Sequence, residues 1–100
     1  MRVIHEEILT GTTASGNLSI NTSRHIYGLL REIIIKPTTN TTTYNFKITN
    51  QNSLIMYEEM SLTGEVAIEV SLPIKGTNTF AIDNASKDEL FTIQLSICEQ

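Results

Sequence analysis

The sequence predicts an all-β fold, an antiparallel β-sandwich of about seven or eight strands with a jelly-roll or immunoglobulin-like topology. Isoleucine and threonine dominate the composition, and both are β-branched residues that fit a pleated surface better than a helix. Three segments alternate between apolar and polar residues, and turn residues recur about every 8 to 14 positions, as in sandwiches and barrels. No long run has a convincing helical period, since the best candidate, residues 24–32, contains Gly28.

The chain divides into an N-terminal segment and one sandwich domain, because 100 residues suffice for a single core only. Residues 1–16 are predicted to be an N-terminal arm or an edge strand with a polar link. Residues 1–9 mix charge with isoleucine, and the flexible polar stretch 10–16 follows them. We expect an arm that extends beyond the sandwich, with the edge strand as the alternative, and we place the sandwich domain in residues 17–100.

Seven strands are predicted within the sandwich domain. In chain order they cover residues 18–21, 26–36, 43–49, 54–58, 65–72, 79–83 and 90–98. Pro37 ends the second of them, because a proline cannot continue a central ladder. Turn residues join the third and the fourth as a hairpin. Alternation in the fifth and the last strand predicts the following residues to be buried on the inner face: Ile68, Val70, Ile93 and Leu95.

One predicted strand carries apolar side chains on both faces. Ile33 and Ile35 share one face, and strict alternation places Leu30 and Ile34 on the other. In a sandwich of two sheets the outward face of such a strand needs a cover, from this chain or from a neighbouring subunit. We expect a symmetric contact between copies of the chain to supply it. The candidate interface residues are Leu30, Ile33, Ile34 and Ile35, with Thr39 and Thr41 from the uncharged polar loop between two strands.

Composition and motif spacing favour no catalytic function. The formal net charge of -4 and the pI of about 5.0 disfavour contacts with nucleic acid and anionic lipid, and no apolar run approaches the roughly 20 residues of a membrane span. His5, His25 and Cys98 lack metal-ligand spacing, and the carboxylates at Asp88 and Glu89 are interpreted as a solvated turn. The aromatic residues, 6% of the chain, are interpreted as core. We therefore expect no enzyme, no cofactor and no metal.

A series of short motifs runs through the middle of the chain. In order they are Gly28-Leu29-Leu30, Ile33-Ile34-Ile35-Lys36-Pro37, Thr43-Tyr44-Asn45-Phe46-Lys47-Ile48-Thr49, Ile55-Met56-Tyr57, Thr63-Gly64, Leu72-Pro73-Ile74-Lys75-Gly76, Ile82-Asp83-Asn84-Ala85 and Phe91-Thr92-Ile93-Gln94-Leu95. This series resembles the small virion structural proteins encoded by tailed bacteriophages. The sequence departs from that family at residues 50–53, where an Asp and a Gly are expected in the turn.

The resemblance implies a capsid decoration or cement protein that stabilises the shell. The implied partners are further copies of the chain, as a homo-oligomer such as a trimer, and the major capsid protein or another virion protein. The implied location is the virion, after synthesis in the host cytoplasm without a signal peptide. Two alternatives stay open: a head-to-tail connector or tail component, and an immunoglobulin-like module that recognises a ligand with its loops.

Overall fold

The computed structural model describes residues 3–22, 26–86 and 88–99, and these residues form eight strands and no helix. The strands are β1 (Val3–Thr12), β2 (Leu18–Asn21), β3 (Ile26–Pro37), β4 (Thr43–Thr49), β5 (Ile55–Thr63), β6 (Val66–Gly76), β7 (Thr79–Asp83) and β8 (Leu90–Glu99). The all-β prediction is confirmed. No helix in the described part of the chain could cross a lipid bilayer.

The strands pack as two antiparallel sheets of four. The first sheet has the order β1-β8-β3-β6 and the second has the order β2-β7-β4-β5. The N-terminal and C-terminal strands are therefore neighbours, and all other pairs but one join strands that are distant in sequence. Of the two topologies left open by the sequence, this order is that of a jelly roll.

The core lies between the sheets and follows the predicted alternation. In β8 the inward residues, including Ile93 and Leu95, are fully buried. In β6 the inward residues Ile68 and Val70 pack against the core but stay half-buried, because β6 is the edge of the first sheet. The faces of both strands were predicted correctly, and the depth of burial in β6 was overestimated.

Residues 3–12, which we expected to be part of an arm with an edge strand as the alternative, run antiparallel to β8 as the other edge of the first sheet. Two polar residues of β1, His5 and Glu7, share the inward face with Leu9, and Glu7 is buried. His5 Nε2 lies 3.4 Å from Glu7 Oε1. Inward-pointing charge on an edge strand is one of the devices that discourage pairing with a further strand.

Strand β3 contains a bulge that the alternation did not reveal. Leu30 pairs with Ile97 of β8, and Glu32 pairs with Ser96, so Arg31 is an extra residue on β3. The extra residue reverses the alternation, and Leu30 joins Ile33 and Ile35 on the inner face. The prediction that Leu30 shares a face with Ile34 is therefore wrong.

Candidate interaction surface

The loop between β3 and β4 is held at one end of the sandwich by a buried carboxylate. Glu89 is 7% exposed, and it accepts hydrogen bonds from the Thr39 backbone N–H at 2.8 Å and from the Thr42 hydroxyl at 2.7 Å. The backbone N–H of Glu89 donates to the Thr13 hydroxyl oxygen at 2.9 Å. Glu89 thus ties three loops together, and its interpretation as part of a solvated turn is wrong.

The neighbouring turn between β5 and β6 fits tightly against the same loop. Gly64 has a φ of +65°, and a Cβ atom at this position would lie 2.3 Å from the backbone oxygen of Asn40. The Asn40 side-chain oxygen accepts the N–H of Glu65, and the buried Tyr44 hydroxyl donates to the carbonyl of Gly64 at 2.7 Å. A substituted residue 64 would therefore clash and strain the backbone.

The two threonines that were predicted to form part of the interface lie outside the core. Thr39 and Thr41 are both exposed, while Thr42, whose hydroxyl donates to Glu89, is buried. The loop consequently presents these hydroxyl groups from a backbone that is anchored to Glu89.

The outer face of the first sheet carries exposed apolar side chains. Ile4 and Ile8 of β1 are 66% and 62% exposed, and Tyr27 of β3 is 53% exposed, so the prediction that all aromatic residues are core is wrong for Tyr27. Ile34 lies on this face and is half-buried by its neighbours. Exposed large apolar side chains gathered on one face are typical of an interaction surface.

The strand registers arrange the outer face of the first sheet in rows that cross all four strands. We call two of them the apolar rows, because apolar residues predominate, and the row between them the acidic row. One apolar row contains Ile8, Gln94, Ile34 and Ala67. The other contains Ile4, Cys98, Leu29 and Pro73. The acidic row contains Glu6, Ser96, Glu32 and Glu69.

The outer face of the second sheet differs in character. The outward residues of β2, β7 and β4 are small or polar, and one of them, Lys47, is basic. They include Ser19, Asn21, Thr79, Ala81, Lys47 and Thr49. These three strands lack the large exposed apolar side chains of the first sheet, whereas the edge strand β5 of the second sheet carries Ile55 and Met60, which are 56% and 59% exposed.

The predicted interface residues do not lie together. Leu30, Ile33 and Ile35 are fully buried between the sheets and cannot contact a partner. Ile34 remains on the outer face, where β1 brings Ile8 into its row across Gln94. The sequence analysis missed β1 as part of this surface, because the pairing of β1 with β8 joins residues at opposite ends of the chain.

The titratable groups of the described residues show no arrangement for acid-base chemistry. Burial raises the pKa of Tyr44 to about 12. Burial, and then a hydrogen bond to the Glu59 carboxylate, raises the pKa of Tyr57 to about 12 as well. Within the described residues no three His, Cys, Asp or Glu side chains are grouped to hold a metal ion. Both tyrosines are structural parts of the sandwich.

Comparison with known proteins shows the fold. No family and no curated protein matches the sequence. Among solved structures, a mitogen from Yersinia pseudotuberculosis matches with a TM-score of 0.62 at 12% identity, over 95% of this chain and 87% of the mitogen. A Bacillus endospore appendage protein, of a family of disulfide-linked pili, matches with a TM-score of 0.62 at 11% identity, over 99% of this chain and 89% of the other.

A third match is a family two carbohydrate esterase from Cellvibrio japonicus, with a TM-score of 0.51 at 12% identity. It covers 100% of this chain and only 35% of the esterase chain. Identities this low establish a common fold and no common activity. The protein belongs to the class of jelly-roll sandwiches, a fold that also serves in an assembled appendage.

Proposed function

We propose that this protein is a non-enzymatic structural protein of a virion, a capsid decoration protein that binds the shell through the outer face of its first sheet. The observation that supports the proposal is the exposure of Ile4 and Ile8 on the sheet face that also carries Ile34. The fold is compatible with a structural role, since an appendage-forming protein shares it.

The physical basis is burial of apolar area across many copies. Covering Ile4 or Ile8, which are 66% and 62% exposed, is worth about 1 to 2 kcal/mol each, so the two together support a modest contact for each copy. A shell presents many equivalent sites, and linked contacts raise the total affinity well above that of a single one. The exposed hydroxyls of Thr39 and Thr41 add hydrogen bonds at the end of the sandwich without requiring the loop to be ordered on binding.

The test is substitution of one exposed isoleucine by glutamate. We expect Ile8→Glu to remain folded, because the side chain is 62% exposed, and to bind virus particles at least about tenfold more weakly in co-sedimentation. The matched control is Ile55→Glu on β5 of the second sheet, where the isoleucine is 56% exposed. If Ile8→Glu binds particles as well as the wild-type protein does, the outer face of the first sheet is not the binding surface.

A further inference from the structure

We propose that the outer face of the first sheet binds a partner protein whose surface carries a row of basic side chains between apolar ones, and that it does not bind a second copy of this chain. The inference rests on the proposed function and adds the chemistry of the partner. The apolar rows supply the contact area, and the acidic row between them sets the charge that the partner must have.

The acidic row carries three carboxylates and one base, Arg31, which lines the same surface depression as Glu32, Glu69 and Ser96. Glu32 and Glu69 are direct cross-strand neighbours, an arrangement in which like charges repel. Glu6 accepts a hydrogen bond from the neutral amide of Gln94 at 3.1 Å. No ion pair joins these carboxylates to a base among the residues that the structure describes, and Arg31 is the nearby cation on β3. A basic partner would relieve this repulsion.

The order of the rows argues against a pair of identical copies. The apolar rows lie on either side of the acidic row, so a two-fold contact that covers apolar residues with apolar residues also stacks the acidic row on its own copy. Each copy brings three carboxylates and the Arg31 guanidinium to that contact, which leaves an excess of two negative charges there, and has a formal net charge of -4 overall. Taken out of water, such like charges repel more strongly than they do at an open surface.

The size of the face suits a specific protein contact. Four strands about 4.8 Å apart, of which β1 and β8 are each 10 residues long at about 3.3 Å per residue, give the whole outer face an area on the order of 600 Å². A standard interface buries about 800 Å² on each partner. The face and the adjoining threonine loop together approach that size.

A charge-reversed variant of the same chain can stand in for the proposed partner, because it carries basic side chains between apolar ones. The variant Glu6→Lys/Glu32→Lys/Glu69→Lys keeps both apolar rows and replaces the acidic row by a basic one. We expect this variant and the wild-type protein to be monomeric alone at about 100 µM and to form a 1:1 complex when mixed, as measured by sedimentation velocity. The complex should weaken at least about tenfold in about 0.5 M NaCl, and Ile8→Glu in the wild-type partner should abolish it.

The matched control carries the same number of charge reversals away from this face: Glu58→Lys/Asp83→Lys/Asp88→Lys. Each reversal adds two charges, so both variants have a formal net charge of +2. The inference is overturned if no complex forms, if the control variant binds the wild-type protein equally well, or if the wild-type protein dimerises alone and Ile8→Glu prevents it. None of these results bears on particle binding, so the proposed function is tested separately.

A second variant covers the case in which three lysines prevent folding. Glu6→Gln/Glu32→Gln/Glu69→Gln removes the repulsion and keeps the shape of the side chains. We expect this variant to self-associate at concentrations at which the wild-type protein is monomeric, and we expect added Ile8→Glu to reverse the association. If the glutamine variant stays monomeric over the same range, the acidic row is not what keeps copies apart, and the inference fails.

Discussion

The Glu89 carboxylate is expected to contribute more stability than any other single polar side chain at its end of the sandwich. It is 7% exposed and accepts two short hydrogen bonds, from the Thr39 N–H at 2.8 Å and from the Thr42 hydroxyl at 2.7 Å. Hydrogen bonds to a charged group are each worth about 1.5 to 3 kcal/mol. When Glu89 is truncated, the Thr39 N–H can donate to water instead, because Thr39 is exposed. We therefore expect Glu89→Ala to cost about 2 to 4 kcal/mol in the free energy of unfolding.

The matched variant is Glu89→Gln, which keeps the side-chain shape. Its amide oxygen can still accept from the Thr39 N–H, and its NH₂ group can donate to the Thr42 oxygen because the hydroxyl can rotate. We therefore expect Glu89→Gln to cost only about 1 kcal/mol. Denaturant unfolding measures both variants, and hydrogen exchange at the Thr39 amide reports the loop directly. An Ala variant within about 0.5 kcal/mol of the wild-type protein would refute the assignment of Glu89 as the residue that fixes the loop.

Three further predictions follow from burial and pairing. Ile93→Ala should cost about 2 to 5 kcal/mol and Val70→Ala about 1 kcal/mol by denaturant unfolding, since Ile93 is fully buried and Val70 half-buried; equal costs would contradict this. Burial raises the pKa of Tyr44 from 10.0 to about 12, so the unfolded state ionises first and the free energy of unfolding falls by about 2 to 3 kcal/mol between pH 10 and pH 12; Tyr44→Phe should flatten this loss in alkaline unfolding. Deletion of residues 1–9 should lower the thermal midpoint of the monomer as strongly as a core truncation, because β1 pairs with β8 over ten residues, and an unchanged midpoint would favour an independent arm.

The strands that the sequence predicted well are those whose neighbours alternate regularly. Strands β2, β4 and β7 have the predicted bounds, and the predicted inner faces of β6 and β8 are the observed ones. Periodicity reports the face of a residue, because successive side chains point to opposite sides of a sheet. It does not report the position of the strand within the sheet, which decides that Ile93 is fully buried and Ile68 only half-buried.

The candidate surface could be predicted only in part, because it depends on pairing between distant segments. The isoleucines at positions 33–35 indicated that one face of this strand is outward and apolar, without indicating which, and the composition of the loop indicated exposure of Thr39 and Thr41. The contribution of Ile8 depends on the pairing of β1 with β8, which no local pattern contains. The clamp by Glu89 likewise joins residues that are 47 and 50 positions apart.

The bulge at Arg31 is the local feature that the sequence analysis missed, and deletion tests whether it sets the faces of β3. Two steps along β3, from Leu30 to Glu32, match one step along β8. Deleting Arg31 should therefore leave Leu30, Ile33 and Ile35 on the inner face and cost about 1 to 3 kcal/mol, because the ladder with β6 must readjust.

Deleting Ile34 shortens the same strand by one residue but should have a different result. It would turn Ile35 outward and bring Lys36 into the core, which removes about 1.5 to 3 kcal/mol of burial and adds the larger cost of an unpaired buried charge. Because the total stability of a small domain is about 5 to 15 kcal/mol, we expect this variant to be unfolded or close to it. Circular dichroism and denaturant midpoints compare the two deletions. A folded Ile34 deletion beside an unfolded Arg31 deletion would show that residue 31 is part of the regular alternation and that the bulge does not set the faces of β3.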